Sequence, residues 1–92
     1  MIINHTFTPQ VNQDLLTRSV DGELIVLDNK ENEIHQLNIS ASLIFNKCDG
    51  SLSIASIAQS LVDEFDISVD QALQDVLTTV RSFKDKGLIL ED

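Results

Sequence analysis

The sequence predicts an α+β domain in which a three-stranded antiparallel β-meander precedes three helices, an order similar to a winged helix-turn-helix fold. Before residue 38, apolar residues come in short runs bounded by turn residues, as in strands. After residue 38 they recur every three or four positions, as in helices. Asp21 and Gly22 separate two of the early runs and form a strong hairpin signal, because both residues tolerate positive φ.

Length and composition favour one small domain over residues 1–92, with an irregular lead-in over 1–10. Fifteen acidic residues against six Lys and Arg give a formal net charge of −9, which disfavours nucleic acid as a partner. No apolar run approaches the ~20 residues that span a bilayer, and the first residues lack the basic and apolar regions of a signal peptide. We therefore expect no membrane association. A single cysteine cannot form an internal disulfide, which favours the cytoplasm.

The three strands follow in order. The first lies within 11–20 and is strongest over 15–20, and the second is the continuous Leu and β-branched run 23–28. That continuity suggests that both faces of the second strand are at least partly covered. Polar residues 29–32 form a second turn before a shorter third strand over 33–37. In such a meander the first and third strands are edges, which have unpaired N–H and C=O groups.

A first helix is predicted over 40–48, because Asn38 is a favoured N-cap residue and Gly50 suits the left-handed position at the helix end. Cys48 falls on its apolar side, and a free cysteine there is interpreted as structural. A nucleophilic pair of Cys48 and His35 would require the fold to bring the two side chains together.

A second helix over 54–65 has one apolar stripe and is capped by Ser51 or Ser53. Three helices with a tight turn between the first two are also typical of winged-helix DNA binders. This second helix, however, contains no Lys or Arg and carries Asp63 and Glu64, so its charge opposes DNA binding.

The third helix is the longest, predicted over 69–86 and ended by Gly87. Ser68 with Gln71 three residues later predicts a capping box at its start. The short apolar tail 88–90 is expected to return against the core.

No catalytic, cofactor or metal motif is present in the sequence. His5 and His35 have no second ligand at metal-site spacing, and no Gly-rich phosphate loop occurs. The acidic residues are scattered, so we expect a non-enzymatic protein without a cofactor. Two alternatives stay open: a scaffold subunit of an enzyme complex, and an acyl-carrier-like protein. For the second, Asp49-Gly50-Ser51-Leu52 is similar to the Asp-Ser-Leu motif of carrier proteins, but a Gly intervenes and the first 37 residues favour strands.

The motifs between residues 11 and 90, in this order and spacing, resemble those of the PqqD family, named for a protein of pyrroloquinoline quinone biosynthesis. The matching residues are the segments 21–28, 37–41, 48–50, 53–57 and 87–89, together with Ile44, Leu61, Asp75, Val76 and Phe83. The resemblance implies a recognition element of ribosomal peptide natural-product pathways. Such a protein is a peptide chaperone: it binds the leader segment of a precursor peptide and presents it to a modifying enzyme, such as a radical S-adenosylmethionine enzyme, or to a leader peptidase.

The resemblance also implies that the leader adds as a strand to the third β-strand and packs against the last helix. Strand addition needs a free edge, which the predicted strand 33–37 offers. The expected peptide-binding residues are Glu33, Ile34, His35, Gln36, Leu37, Asp75, Val76, Thr79, Val80 and Phe83. Ordinary core packing is the alternative for at least half of the apolar ones. Asp75 and Thr79 would lie on the rim, where Asp75 could pair with a basic leader residue. A free edge can equally pair with a second copy, which leaves a homodimer open.

Overall fold

The structure is a computed structural model that describes residues 4–90; residues 1–3 of the predicted lead-in and the acidic residues 91–92 lie outside the described part. The elements are β1 (Leu16–Val20), β2 (Glu23–Asp28), β3 (Glu33–Leu37), α1 (Ile39–Lys47), α2 (Ile54–Phe65) and α3 (Val69–Asp85). The strands form one antiparallel sheet in the order β1-β2-β3. The predicted α+β class is therefore confirmed, and the arrangement is consistent with a winged helix. Within residues 4–90, no helix has both the length and the apolar character needed to cross a membrane.

Alternation along β2 separates the two faces of the sheet. Leu24 and Val26 are buried on the inner face, where they join Leu37 of β3 and the apolar faces of the helices in one core. Ile25 and Leu27 point the other way and are partly exposed. The expectation that both faces of β2 are at least partly covered is thus met: the inner face is buried in the core shared with the helices, and the outer face is half-buried.

Ser42 of α1 connects this helix to the sheet. Its buried hydroxyl accepts a hydrogen bond from the Leu24 N–H (2.8 Å) and donates one to the Leu37 carbonyl (3.1 Å). Leu24 and Leu37 are the last facing pair of β2 and β3. A side chain therefore satisfies backbone groups at the end of this ladder, which a buried segment requires.

Serine and asparagine side chains begin the three helices, as predicted. Asn38 accepts a hydrogen bond from the Ala41 N–H, and Ser53 and Ser68 accept equivalent bonds from the amides of the residues three positions later. The capping box of α3 is only half formed, because the Gln71 side chain does not turn back towards Ser68 but donates to Asp75 Oδ1 (2.8 Å).

Gly50 has a different role from the predicted one. α1 ends at Lys47 with Cys48 as its C-cap, so Gly50 lies beyond the helix end. Its φ is +85°, and a Cβ there would lie 2.5 Å from Gln10 Oε1. The Gly50 N–H donates to the Pro9 carbonyl (2.9 Å). Glycine is favoured here mainly because a residue with a side chain would be strained at this positive φ, whereas the flexible end of Gln10 could move aside.

The two ends of the described chain pair with each other. Val11 forms an isolated antiparallel bridge with Ile89, and Leu88 and Ile89 are buried, as predicted for the apolar tail. Deeper in the core, the rings of Phe45 and Phe83 pack edge to face with their centroids 5.7 Å apart. This contact holds α1 against α3 and fixes the position of α3 relative to the sheet.

Candidate functional site

One edge of β3 has no neighbouring strand in the described chain, because β3 is the last strand of the sheet. The two-residue turn at Asp21 and Gly22 makes Val20 and Glu23 a hydrogen-bonded pair, and the direction of the backbone groups then alternates along each strand. The backbone groups of alternate β2 residues therefore point to β3. These residues are Leu24, Val26 and Asp28, and their partners on β3 are Leu37, His35 and Glu33. The N–H and C=O groups of Ile34 and Gln36 consequently point to the free edge.

A cleft separates this edge from α3. No α-carbon of β3 lies within 8 Å of an α-carbon of α3, although both elements pack against α1. Three open cavities lie along the cleft, and the central one shares Thr78 and Thr79 with one neighbour and Lys86 with the other. Together they follow α3 from Gln71 to Lys86, about 22 Å at 1.5 Å per residue. An extended strand of six or seven residues has about this length.

The central cavity, of about 310 Å³, lies between the end of β3 and α3. Its lining is Gln36, Leu37, Asn38, Ala41, Thr78, Thr79, Ser82, Phe83 and Lys86. Most of these side chains are polar but uncharged, and Leu37 and Phe83 are only 4% and 2% exposed. Carbon atoms of the lining nevertheless form as much of the cavity surface as polar atoms do. The wall therefore offers hydrogen-bonding groups together with shallow apolar surface, and no deep apolar pocket.

The cavities at the two ends of the cleft contain most of its charge. The one beside the start of β3 has a volume of about 470 Å³ and is lined by Asn12, Asp28, Lys30, Glu31, Glu33, Asp85, Lys86 and Gly87. Four carboxylates there face two lysines. The other, of about 480 Å³, includes Asp75 as its charged residue. Both ends therefore favour a positively charged group on a ligand.

Of the five apolar residues predicted to line a pocket between strand and helix, three lie elsewhere. Ile34 is 72% exposed and belongs to the outer face of the sheet, since alternation along β3 turns its side chain away from α3. Val76 and Val80 are fully buried in the core, so they form the base beneath the cleft and not its wall. Leu37 and Phe83 contribute only small patches of surface to the central cavity.

The rim residues lie where the sequence predicted them. Asp75 and Thr79 are half-buried and line the cleft on α3. Three further lining residues, Thr78, Ser82 and Lys86, were absent from the predicted set. Their spacing of four residues was the available signal, because it continues one face of α3 beside the apolar stripe.

His35 lies on the inner side of β3, opposite the buried Val26. Its Nε2 is buried and has no hydrogen-bond partner within residues 4–90. It is thus a polar group on the edge strand whose hydrogen-bonding capacity is unused in this structure.

Cys48 is 1% exposed, and its thiol donates to the Ile44 carbonyl (3.1 Å). Burial, followed by the charge of the neighbouring Asp49, raises the pKa of the thiol to about 12, so a reactive thiolate is suppressed at neutral pH. The Asp49 carboxyl accepts hydrogen bonds from the hydroxyl and the N–H of Ser51, which hold its pKa below the ordinary value. These are the properties of a structural cysteine.

A free edge strand beside a long helical cleft is the arrangement that peptide-binding modules acting by strand addition use. The family profile described as Coenzyme PQQ synthesis protein D (PqqD) matches residues 23–89, and the chain belongs to this family. No curated protein matches the chain.

Two solved structures share the fold. One, described as lasso peptide synthetase B1 complexed with the leader peptide, has a TM-score of 0.81 and 27% identity, and the match covers 91% of this chain and 99% of that one. The other, TbiB1 in complex with the TbiA(beta) leader peptide, has a TM-score of 0.80 and covers 90% of this chain and 99% of that one. At 15% identity, the second shows similarity of fold alone.

Proposed function

We propose that this protein binds the leader segment of a ribosomally made precursor peptide and presents it to a processing enzyme, without catalysing a reaction itself. The observation that carries the proposal is the free edge of β3 beside the cleft along α3. Membership of the PqqD family supports it, as does the similarity to a lasso peptide synthetase B1 that is described in complex with a leader peptide.

The leader would add as a fourth strand next to β3. The backbone groups of Ile34 and Gln36 would supply the hydrogen bonds, so Glu33 to Leu37 act mainly through the main chain. Side chains on alternate leader residues would then enter the cleft and meet Thr79 and the polar wall of α3. Specificity would therefore depend more on hydrogen bonds and fit than on a deep apolar pocket.

The predicted binding residues divide into two groups in this proposal. Val76, Val80 and Phe83 support the cleft from below, because they are buried in the core. Asp75 contacts the ligand from the rim, where it would attract a basic leader residue. The net charge of −9 would accelerate the encounter with a basic peptide, an effect that falls with salt.

The receiving enzyme would be a modifying enzyme, such as a radical S-adenosylmethionine enzyme, or a leader peptidase. Cytoplasmic location is part of the proposal, since the free thiol of Cys48 fits a reducing compartment.

Titration calorimetry with synthetic leader peptides from short precursor genes next to the gene for this protein tests the proposal. We expect micromolar or tighter binding, with amide shifts in the NMR spectrum centred on Ile34, Gln36 and Thr79. If no such peptide binds, the scaffold alternative is favoured. Sedimentation at several concentrations distinguishes the remaining use of the free edge, which is pairing with a second copy.

A further inference from the structure

The outer face of the sheet is the second unusual surface of this molecule. Residues that face each other across the strands share a face, and Leu16 of β1, Leu27 of β2 and Ile34 of β3 are in register. They form an apolar row across all three strands, about 10 Å wide at about 4.8 Å per strand. Leu16 is 55% exposed and Ile34 72% exposed, and Val20 on the same face is 47% exposed.

The neighbouring row on this face is polar except for Ile25, but its two charges are opposite. Arg18, Ile25 and Gln36 face one another across the strands. Glu23 lies beside them, as shown by the hydrogen bond from Gln36 Nε2 to Glu23 Oε1 (3.3 Å). Among the strand residues, this outer face therefore carries one base and one acid, in a chain whose net charge is −9. Glu23 is the one carboxylate among the strand residues of this face, although the chain has fifteen acidic residues.

We propose that this outer face, formed by Leu16, Val20, Ile25, Leu27 and Ile34, is the docking surface for the processing enzyme that receives the leader. The inference rests on the proposed function, because a leader paired with β3 would extend the same face by one strand. Its outward side chains would stand directly beside Ile34. An enzyme seated here would contact the domain and the leader at once.

The charge and the apolar character of this face indicate the kind of partner. A neutral apolar surface within an acidic molecule fits a folded protein with an apolar patch surrounded by basic residues. A second copy fits less well, since two chains of net charge −9 repel each other. Exposed apolar patches of this kind on small monomers are often interaction sites.

The test uses two lysine substitutions on β1. Leu16→Lys places a charge in the apolar row, and the matched control Thr17→Lys places the same charge one residue further on the opposite face of the strand. Both positions are exposed, so both variants are expected to fold. β1 lies roughly 14 Å from the position of an added leader strand, three strand spacings away, so neither variant should change leader affinity by more than about twofold.

The measurement is the affinity of each variant for the purified processing enzyme encoded beside its gene, together with the rate at which that enzyme acts on the precursor. We expect Leu16→Lys to weaken enzyme binding at least tenfold and to slow processing, and Thr17→Lys to change both less than twofold. Enzyme binding by the wild type should also weaken as salt is raised.

Three results would overturn the proposal. In the first, both variants bind the enzyme as the wild type does. In the second, Leu16→Lys and Thr17→Lys lose binding equally. In the third, the wild type forms a dimer in sedimentation that Leu16→Lys abolishes, which would make a second copy the occupant. A failure of leader binding itself appears separately in calorimetry with the wild type, where no enzyme is present.

Discussion

Replacing Ile34 with proline tests whether the free edge of β3 binds the leader. The N–H of Ile34 points away from β2, and its side chain is 72% exposed. Proline therefore removes a donor from the free edge while every hydrogen bond between β2 and β3 is retained. We expect the free energy of unfolding to change by less than about 1 kcal/mol, because no buried contact is lost.

The expected loss of affinity follows from the hydrogen bond that the leader can no longer make. A backbone hydrogen bond contributes about 1 kcal/mol net, and its loss costs about 1–3 kcal/mol in total when the acceptor is left buried without a partner. A total of about 2 kcal/mol corresponds to a loss in affinity of roughly 30-fold.

Calorimetric titration of leader into wild type, Ile34→Pro and the control Ile34→Ala measures this loss. Alanine keeps the N–H, so it should bind within about threefold of the wild type if the main chain is the ligand. Thermal unfolding followed by circular dichroism shows that each variant is folded. Unchanged affinity in a folded Ile34→Pro variant would refute strand addition at this edge.

Three further predictions follow from other contacts. Asn38→Ala removes the N-cap bond to the Ala41 N–H and should cost about 1 kcal/mol of stability, a fall in Tm of about 4–8 °C in thermal unfolding. Asp75→Asn keeps the size of the side chain and the hydrogen bond from Gln71, so the free energy of unfolding should not change. Calorimetry at two salt concentrations should show that the variant binds the leader more weakly and that its affinity depends less on salt. Since burial raises the pKa of Cys48 from 9.0 to about 12, the unfolded chain releases this proton first, and stability present below pH 9 should be lost as pH rises towards 12. Denaturant titrations across this range should show a smaller decline for Cys48→Ala.

The periodicity of the sequence was enough to predict the order of the elements and most of their ends. The spacing of apolar residues in α2 placed that helix correctly over Ile54–Phe65, and its cap proved to be Ser53, one of the two serines predicted, because local contacts determine both. The positive φ of Gly50 was predicted as well, but its contact with the lead-in could not be predicted in this way. Its neighbour Gln10 is forty residues away in sequence, and no local pattern shows such a close approach.

The same distinction applies to the candidate site. The edge strand was predicted from the meander alone, since the last strand of a meander is always an edge. The complete burial of Val76 and Val80 was not predicted, because an apolar stripe on a helix can either line a pocket or fill a core. Only the position of α3 relative to the sheet decides between these roles, and that position depends on long-range packing such as the contact of Phe45 with Phe83.

The hydroxyl of Ser42 has a consequence for how a bound peptide would be aligned. It bonds to Leu24 and Leu37 at once, so β3 cannot slide along β2 by one residue without breaking both bonds inside the core. A slide of one residue would also exchange the residues whose backbone groups face the free edge. A buried serine on the helix side of the sheet would therefore determine which amides of β3 a leader meets at the free edge, and so which leader residues enter the cleft.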